Sequence, residues 1–119
     1  PGMKYRHYSP NAEMFLVEGE SEEVVRKINL LTSENSAKGL RTGVLSSLEN
    51  KDRYTAQVVV NIGSLSCLEE VASKLYNALR KFDEEKVDII YSESFTEKGM
   101  GRAIMNRLRK AASGKISVP

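Results

Sequence analysis

The opening residues of the chain combine cations and aromatic rings in a way that could bind a nucleotide. Lys4, Tyr5, Arg6, His7 and Tyr8 lie between two prolines, which discourage a helix. In an extended chain, successive side chains point to opposite sides. Lys and Arg suit a phosphate, and the aromatic side chains suit a flat base. These residues alone equally fit a solvated linker or a tag remnant. Either is a more common origin of such a segment than a nucleotide site.

A second candidate is a glycine pair that opens a predicted helix. Gly99 and Gly101 flank one residue and are followed by Arg102. Amide groups at a helix N-terminus favour anions, and glycines allow a phosphate to approach closely. The third glycine of a dinucleotide fingerprint is missing, so the pattern is weak. The other interpretation is that the glycines only turn the chain and begin the helix.

The third candidate is the exposed face of this same helix. Arg102, Asn106 and Arg109 share one stripe at i, i+4, i+7 spacing, and Arg107 and Lys110 lie alongside. Such a face could bind an acidic partner, RNA or a phosphate. A charged helix face is more often simply solvated, and cations also suit a helix C-terminus.

Composition predicts a globular domain that is located in the cytoplasm and has no active site of its own. The 119 residues carry a formal net charge of +2, too small to indicate nucleic-acid binding. One cysteine, Cys67, excludes an internal disulfide, and one cysteine with the single His7 is too few for the four ligands of a structural zinc site. No apolar run is long enough to span a membrane. No catalytic triad, Cys/His pair or phosphate-binding loop can be assembled, so we expect no catalytic residue, metal or cofactor in this chain.

The hydrophobic pattern predicts an α/β fold. Strands alternate with helices, except for two consecutive strands in the middle, which indicates an open, mainly parallel sheet of about four strands flanked by helices. The strand at 57–62 is apolar on both faces and is expected to be covered on both sides. Helix caps are expected at Ser21 and at Ser66, the latter in a capping box with Glu69. Strands are predicted at 14–18, 42–46, 57–62 and 87–91, helices from 21, from 66 and from 99, a loop at 47–54, and a tail at 114–119 without clear structure.

Three stretches of the chain resemble one enzyme family. PGMKYRHYSP at 1–10 resembles the interdomain linker of the two-domain L-threonylcarbamoyl-AMP synthases. LYNALRKFD at 75–83 is similar to a long-helix motif of their C-terminal domain, and GMGRAIMNRLRKAA at 99–112 to its closing signature. The resemblance covers residues 1 to 113. It implies a linker arm at 1–12, a Rossmann-like C-terminal domain at 13–113 and a tail at 114–119.

The resemblance also implies a role. In the family, an N-terminal catalytic domain binds ATP with magnesium, L-threonine and bicarbonate. It releases pyrophosphate and yields threonylcarbamoyl-AMP for threonylcarbamoyladenosine in tRNA. The linker closes the catalytic pocket, so Lys4, Tyr5, Arg6, His7 and Tyr8 are implied to contact nucleotide or substrate. The expected partners are the catalytic domain of the same chain and proteins of tRNA modification, and the expected location is the cytoplasm.

Two alternatives remain open at the level of sequence. The domain could be a stand-alone nucleotide-binding module with its site near Gly99, Gly101 and Arg102. It could also be an interaction domain that uses the face formed by Arg102, Asn106 and Arg109.

Overall fold

The chain forms one parallel sheet with helices on both faces. A computed structural model describes residues 8–119. The elements in chain order are β1 (Glu13–Glu18), α1 (Ser21–Ala37), β2 (Thr42–Ser46), a 3₁₀ helix (Leu48–Arg53), β3 (Val58–Asn61), α2 (Leu68–Glu84), β4 (Ile89–Ser92), α3 (Met100–Ala111) and β5 (Gly114–Ser117).

The sheet has five strands in the order β3-β2-β4-β1-β5, and every pairing is parallel. The predicted α/β class and parallel sheet are confirmed, with five strands instead of about four. The additional strand is β5, which pairs with β1 from Phe15↔Gly114 to Glu18↔Ser117. The prediction of a tail without structure at 114–119 was therefore wrong. Only Ile116 and Val118 are apolar there, too short an alternation to indicate a strand.

Two separate hydrophobic cores lie on the two faces of the sheet. On one face, α1 contributes Val24, Val25 and Ile28, which pack with Val17 and Val44. On the other, α2 and α3 lie side by side and bury a larger core. That core includes Leu75, Leu79, Phe82, Ile104 and Leu108 together with Met14, Leu16 and Leu45 of the sheet. On α3, Ile104, Leu108 and Ala111 recur at helical spacing and are buried.

The strand with the strongest β-branched pattern is at an edge of the sheet. β3 pairs with β2 alone within the described residues, and Val59 and Val60 are only half-buried. The strand is nevertheless covered on both faces, as predicted, because Val58 and Val60 pack on the core under α2 and α3 and Val59 packs on the core under α1. The residues that connect β2 to β3, predicted as a loop, contain the 3₁₀ helix Leu48–Arg53.

Two helix caps differ from those predicted. The cap of α1 is Glu20, whose carboxylate accepts the N–H groups of Glu22 and Glu23 at 3.1 and 3.2 Å. The cap of α2 is Cys67, without a side-chain hydrogen bond. Ser66 lies one residue before this cap, and its hydroxyl is 2.8 Å from that of Ser64.

Candidate functional site

The base of the arm lies against helix α2. Of the five predicted arm contacts, Lys4, Tyr5, Arg6 and His7 lie outside the described residues. Tyr8 is half-buried, and its ring meets that of Tyr76 edge to face, with centroids 5.4 Å apart at 66°. The guanidinium of Arg80 lies 5.9 Å from the same Tyr76 ring, at a distance suited to a cation–π contact.

A second contact holds the arm about two helical turns further along α2. The backbone N–H of Asn11 donates to the Asp83 carboxylate at 2.9 Å, and Pro10 is buried. Tyr76 and Asp83 are seven residues apart and thus share one face of the helix. The end of the arm that joins the domain is therefore fixed along α2. The arm contact predicted for Tyr8 is, in this structure, a contact with its own domain.

The glycine pair at the start of α3 has a packing role. Gly99 precedes the helix with φ of 57°, in the region that favours glycine. A Cβ at Gly101 would lie 2.1 Å from the carbonyl oxygen of Thr96. Because Gly101 has no side chain, the loop that precedes α3 can pack closely against the helix. This close packing explains why residue 101 is glycine, and no bound phosphate is needed to explain it.

Arg109 is engaged within the domain. Its guanidinium pairs closely with Glu97 and lies 3.8 Å from the Glu18 carboxylate, so it joins α3 to the loop before it and to β1. The hydrogen bond from Arg109 holds the pKa of Glu97 below its usual range. Arg102 and Asn106 are exposed. The stripe predicted on α3 therefore divides into two exposed residues and one structural cation.

Sequence reasoning missed a buried carboxylate at the carboxyl edge of the sheet. Glu93 directly follows β4 and is only 4% exposed. Its Oε2 accepts the Tyr54 hydroxyl at 2.6 Å and lies 3.3 Å from the Ser46 hydroxyl, which has a shorter hydrogen bond, 2.7 Å, to the Ser47 carbonyl. Burial, together with the neighbouring carboxylate of Glu93, raises the pKa of Tyr54, so its hydroxyl stays a donor. The available signal was a charged residue at the end of a strand, which ligands of parallel sheets often approach.

A cleft opens beside this carboxylate. It has a volume of about 110 Å³ and lies where β1, the 3₁₀ helix and β4 meet. Its lining includes Ser21, Val24, Asn50, Leu65, Glu93 and Ser94. The lining thus combines one carboxylate, small polar groups and two aliphatic side chains.

Two features are absent from residues 8–119. No group of three or more His, Cys, Asp or Glu in this part of the chain is arranged to hold a metal ion. None of its helices has the length and apolar character needed to cross a bilayer.

Comparisons with known proteins agree with one another. The family described as "Threonylcarbamoyl-AMP synthase, C-terminal domain" matches residues 1–113. The threonylcarbamoyl-AMP synthase of Bacillus subtilis is 48% identical over 116 residues, which are 98% of this chain and 32% of that protein. The chain thus spans about a third of the length of the curated relatives that it matches.

Two solved structures show the same fold. Sua5 of Pyrococcus abyssi, solved with L-threonine, is 44% identical with a TM-score of 0.84; the match covers 100% of this chain and 34% of that one. A C-terminal Sua5 domain from Pyrococcus horikoshii is 37% identical with a TM-score of 0.74, covering 92% of this chain and 100% of that one. The chain belongs to the family of C-terminal domains of threonylcarbamoyl-AMP synthases.

Proposed function

We propose that this chain is the accessory domain of a threonylcarbamoyl-AMP synthase and that its arm closes the catalytic pocket of the full-length enzyme. That enzyme would use L-threonine, bicarbonate and ATP with magnesium to make threonylcarbamoyl-AMP and pyrophosphate for tRNA modification in the cytoplasm. The single observation that carries the proposal is the family match over residues 1–113, which includes the arm. The chain alone would be inactive, because it corresponds to only a third of its relatives.

The fixed base of the arm supports this role. Tyr8 and Asn11 are held on α2, so the seven preceding residues start from a defined point on the domain. Seven residues can reach at most about 25 Å when extended. A fixed base and a short reach raise the effective concentration of Lys4 and Arg6 at a neighbouring pocket. Prior positioning of this kind lowers the entropy cost of bringing charged groups to a reacting centre.

The chemistry proposed for the arm is electrostatic. Negative charge develops on the leaving pyrophosphate as the adenylate forms, and a cation placed beside it stabilises that charge. Lys4 and Arg6 carry such cations. The aromatic residues Tyr5 and His7 would pack on the nucleotide and keep water out of the pocket.

The nucleotide-binding alternative at the start of α3 has less support. The N–H groups of Gly101 and Arg102, which a phosphate would need, donate instead to the carbonyl oxygens of Lys98 and Gly99 at 3.1 Å. Calorimetry of this chain with ATP and AMP separates the two roles, and we expect no heat of binding at millimolar nucleotide.

The test of the proposed function replaces the arm cations in the full-length enzyme. We expect Lys4→Ala and Arg6→Ala each to reduce the rate of threonylcarbamoyl-AMP formation by about 10- to 100-fold. The matched control is Arg107→Ala, which removes an exposed cation from α3 and should leave the rate unchanged. Unchanged turnover in both arm variants would remove the arm from the mechanism.

A further inference from the structure

The Glu93 carboxylate is buried, and the Arg53 guanidinium acts on it only at a distance, without forming an ion pair. The residue is 4% exposed, and none of the ion pairs in the described part of the chain includes it. A buried carboxylate is costly unless hydrogen bonds or an opposite charge compensate it. The cation nearest in sequence to its partner Tyr54 is Arg53, whose guanidinium is bound to Glu22 at 2.7 Å and to Asn50 at 3.2 Å.

The two oxygens of this carboxylate have different surroundings. The Tyr54 hydroxyl donates to Oε2, and the Ser46 hydroxyl, which donates to the Ser47 carbonyl at 2.7 Å, also lies nearest to this oxygen, at 3.3 Å. Within residues 8–119, no hydrogen bond reaches Oε1. Oε1 is also not one of the unpartnered side-chain atoms closed off from solvent, which in this range are Glu18 Oε2 and Ser47 Oγ. Since Glu93 lines the cleft, Oε1 is the oxygen that the cleft can reach.

The cleft lies at a point where the topology favours a ligand. β1 and β4 are neighbours in the sheet, and α1 leaves β1 on one face while α3 leaves β4 on the other. A crevice therefore forms at their carboxyl ends, as in other open α/β sheets. Gly19, after β1, and Glu93, after β4, both line it.

The carboxylates of Glu93 and Glu20 disfavour an anion in the cleft. Two amides in the first turn of α1, those of Glu22 and Glu23, are already bound by the Glu20 carboxylate at 3.1 and 3.2 Å. The free acceptor Oε1 requires a donor instead. Among donors, a metal ion is not favoured, since the described residues contain no cluster of three ligands. A hydrogen-bonding organic cation fits both requirements.

The size and lining of the cleft restrict that cation further. A volume of about 110 Å³ holds only a few non-hydrogen atoms. Val24 and Leu65 supply aliphatic surface, and Leu65 is a large apolar side chain that is 43% exposed. Ser21 and Ser94 supply hydroxyl oxygens that can accept hydrogen bonds.

We propose that this cleft binds a small aliphatic primary amine. Its ammonium donates to Glu93 Oε1 and to a serine hydroxyl, and its alkyl chain packs against Val24 and Leu65. The ammonium group would pair with a carboxylate that the fold buries and that, within the described residues, accepts hydrogen bonds at Oε2 only. This site uses no residue of the arm and is independent of the proposed function.

The test titrates this chain with butylamine near neutral pH and follows backbone amide NMR shifts. We expect saturable shifts at Ser21, Asn50 and Ser94, with a dissociation constant on the order of 1 mM for so small a ligand. The uncharged analogue 1-butanol should bind at least about tenfold more weakly, because it lacks the ion pair. No saturable shift up to about 50 mM butylamine, or equal binding of butanol, would overturn the proposal.

Two variants locate the site. Glu93→Gln keeps the shape of the side chain, and we expect it to weaken butylamine binding by more than about tenfold. Glu69→Gln makes the same change at an exposed carboxylate and should leave binding unchanged. Ser21→Leu, at an exposed position on the rim, should fill the cleft and abolish binding with Glu93 intact, which keeps the test valid if Glu93→Gln misfolds. Undiminished binding in folded Glu93→Gln or in Ser21→Leu would contradict the assignment.

Discussion

The rings of Tyr8 and Tyr76 meet edge to face, with their centroids 5.4 Å apart, and this contact holds the base of the arm on helix α2. Tyr76 is 42% exposed, high for an aromatic residue in a helix that otherwise buries its apolar side chains. Its exposure is explained by its two neighbours, Tyr8 on one side and Arg80 on the other. The ring thus contacts the base of the arm and takes little part in the core.

The first prediction concerns this aromatic pair in the full-length enzyme. Tyr76→Ala should lower kcat/KM for ATP several-fold, because a loosened base reduces the effective concentration of the arm at the catalytic pocket. Tyr76→Phe keeps the ring and should behave as the wild type. Circular dichroism should show the domain folded in both variants, since the residue is partly exposed. Equal kinetics of Tyr76→Ala and wild type would show that the contact does not position the arm.

The second prediction separates the two glycines at the start of α3. Gly101→Ala should lower the free energy of unfolding by more than about 2 kcal/mol, because its Cβ would meet a backbone carbonyl that cannot move freely. Gly99→Ala should cost about 1 kcal/mol, since φ is positive but no atom lies within 4 Å of the added Cβ. Urea unfolding of this chain measures both. A Gly101→Ala protein as stable as wild type would refute the packing role.

The third prediction concerns the donors to Glu93. Tyr54→Phe removes the shorter of its two hydrogen bonds, at 2.6 Å, and leaves a buried carboxylate less well bonded. We expect a loss of about 1–3 kcal/mol in the free energy of unfolding. The double variant Tyr54→Phe, Glu93→Gln should recover part of this loss, because the charge that needs the donor is gone. Strictly additive losses would show that the two side chains are not coupled.

The fourth prediction concerns pH and the exposed pair of Glu22 and Arg53. The hydrogen bond from Arg53, 2.7 Å long, lowers the pKa of Glu22 below its ordinary value of 4.5. A carboxyl whose pKa is lower in the folded state stabilises the fold above its unfolded pKa, and this contribution is lost as pH falls through the folded value. Wild type should therefore exceed Glu22→Gln in stability at pH 7, and the difference should vanish near pH 2. Added salt at pH 7 should also reduce it, since an exposed pair is screened. A difference that persists in acid would exclude the ion pair as its source.

The sequence predicted most of the fold because its signals were local. The apolar spacing in α2 and α3 and the β-branched run at 57–62 each identify an element without knowledge of its neighbours. β5 could not be predicted in the same way. Its four residues form a strand only because β1 offers an unpaired edge beside them, which is a property of the folded sheet.

The candidate sites also differ in whether local sequence or the folded structure reveals them. Residue types drew attention to the arm, and only the family resemblance gave it a role. The roles of Gly101 and Arg109 depend on Thr96, Glu97 and Glu18, which the fold brings to them. The Glu93 cleft was missed because its members come from four separate segments of the chain. Only a strand-end carboxylate marked it in the sequence, and that feature is common in sheets.

The role of the arm in catalysis is tested most directly by replacing residues 1–7 with glycine and serine in the full-length enzyme. The substitution keeps the length of the tether and the contacts of Tyr8 and Asn11, and it removes the cations and rings of the preceding residues. Pyrophosphate release at saturating ATP, L-threonine and bicarbonate is then compared with wild type. We predict a rate at least about 100-fold lower. A rate within about twofold of wild type would show that the arm is only a tether.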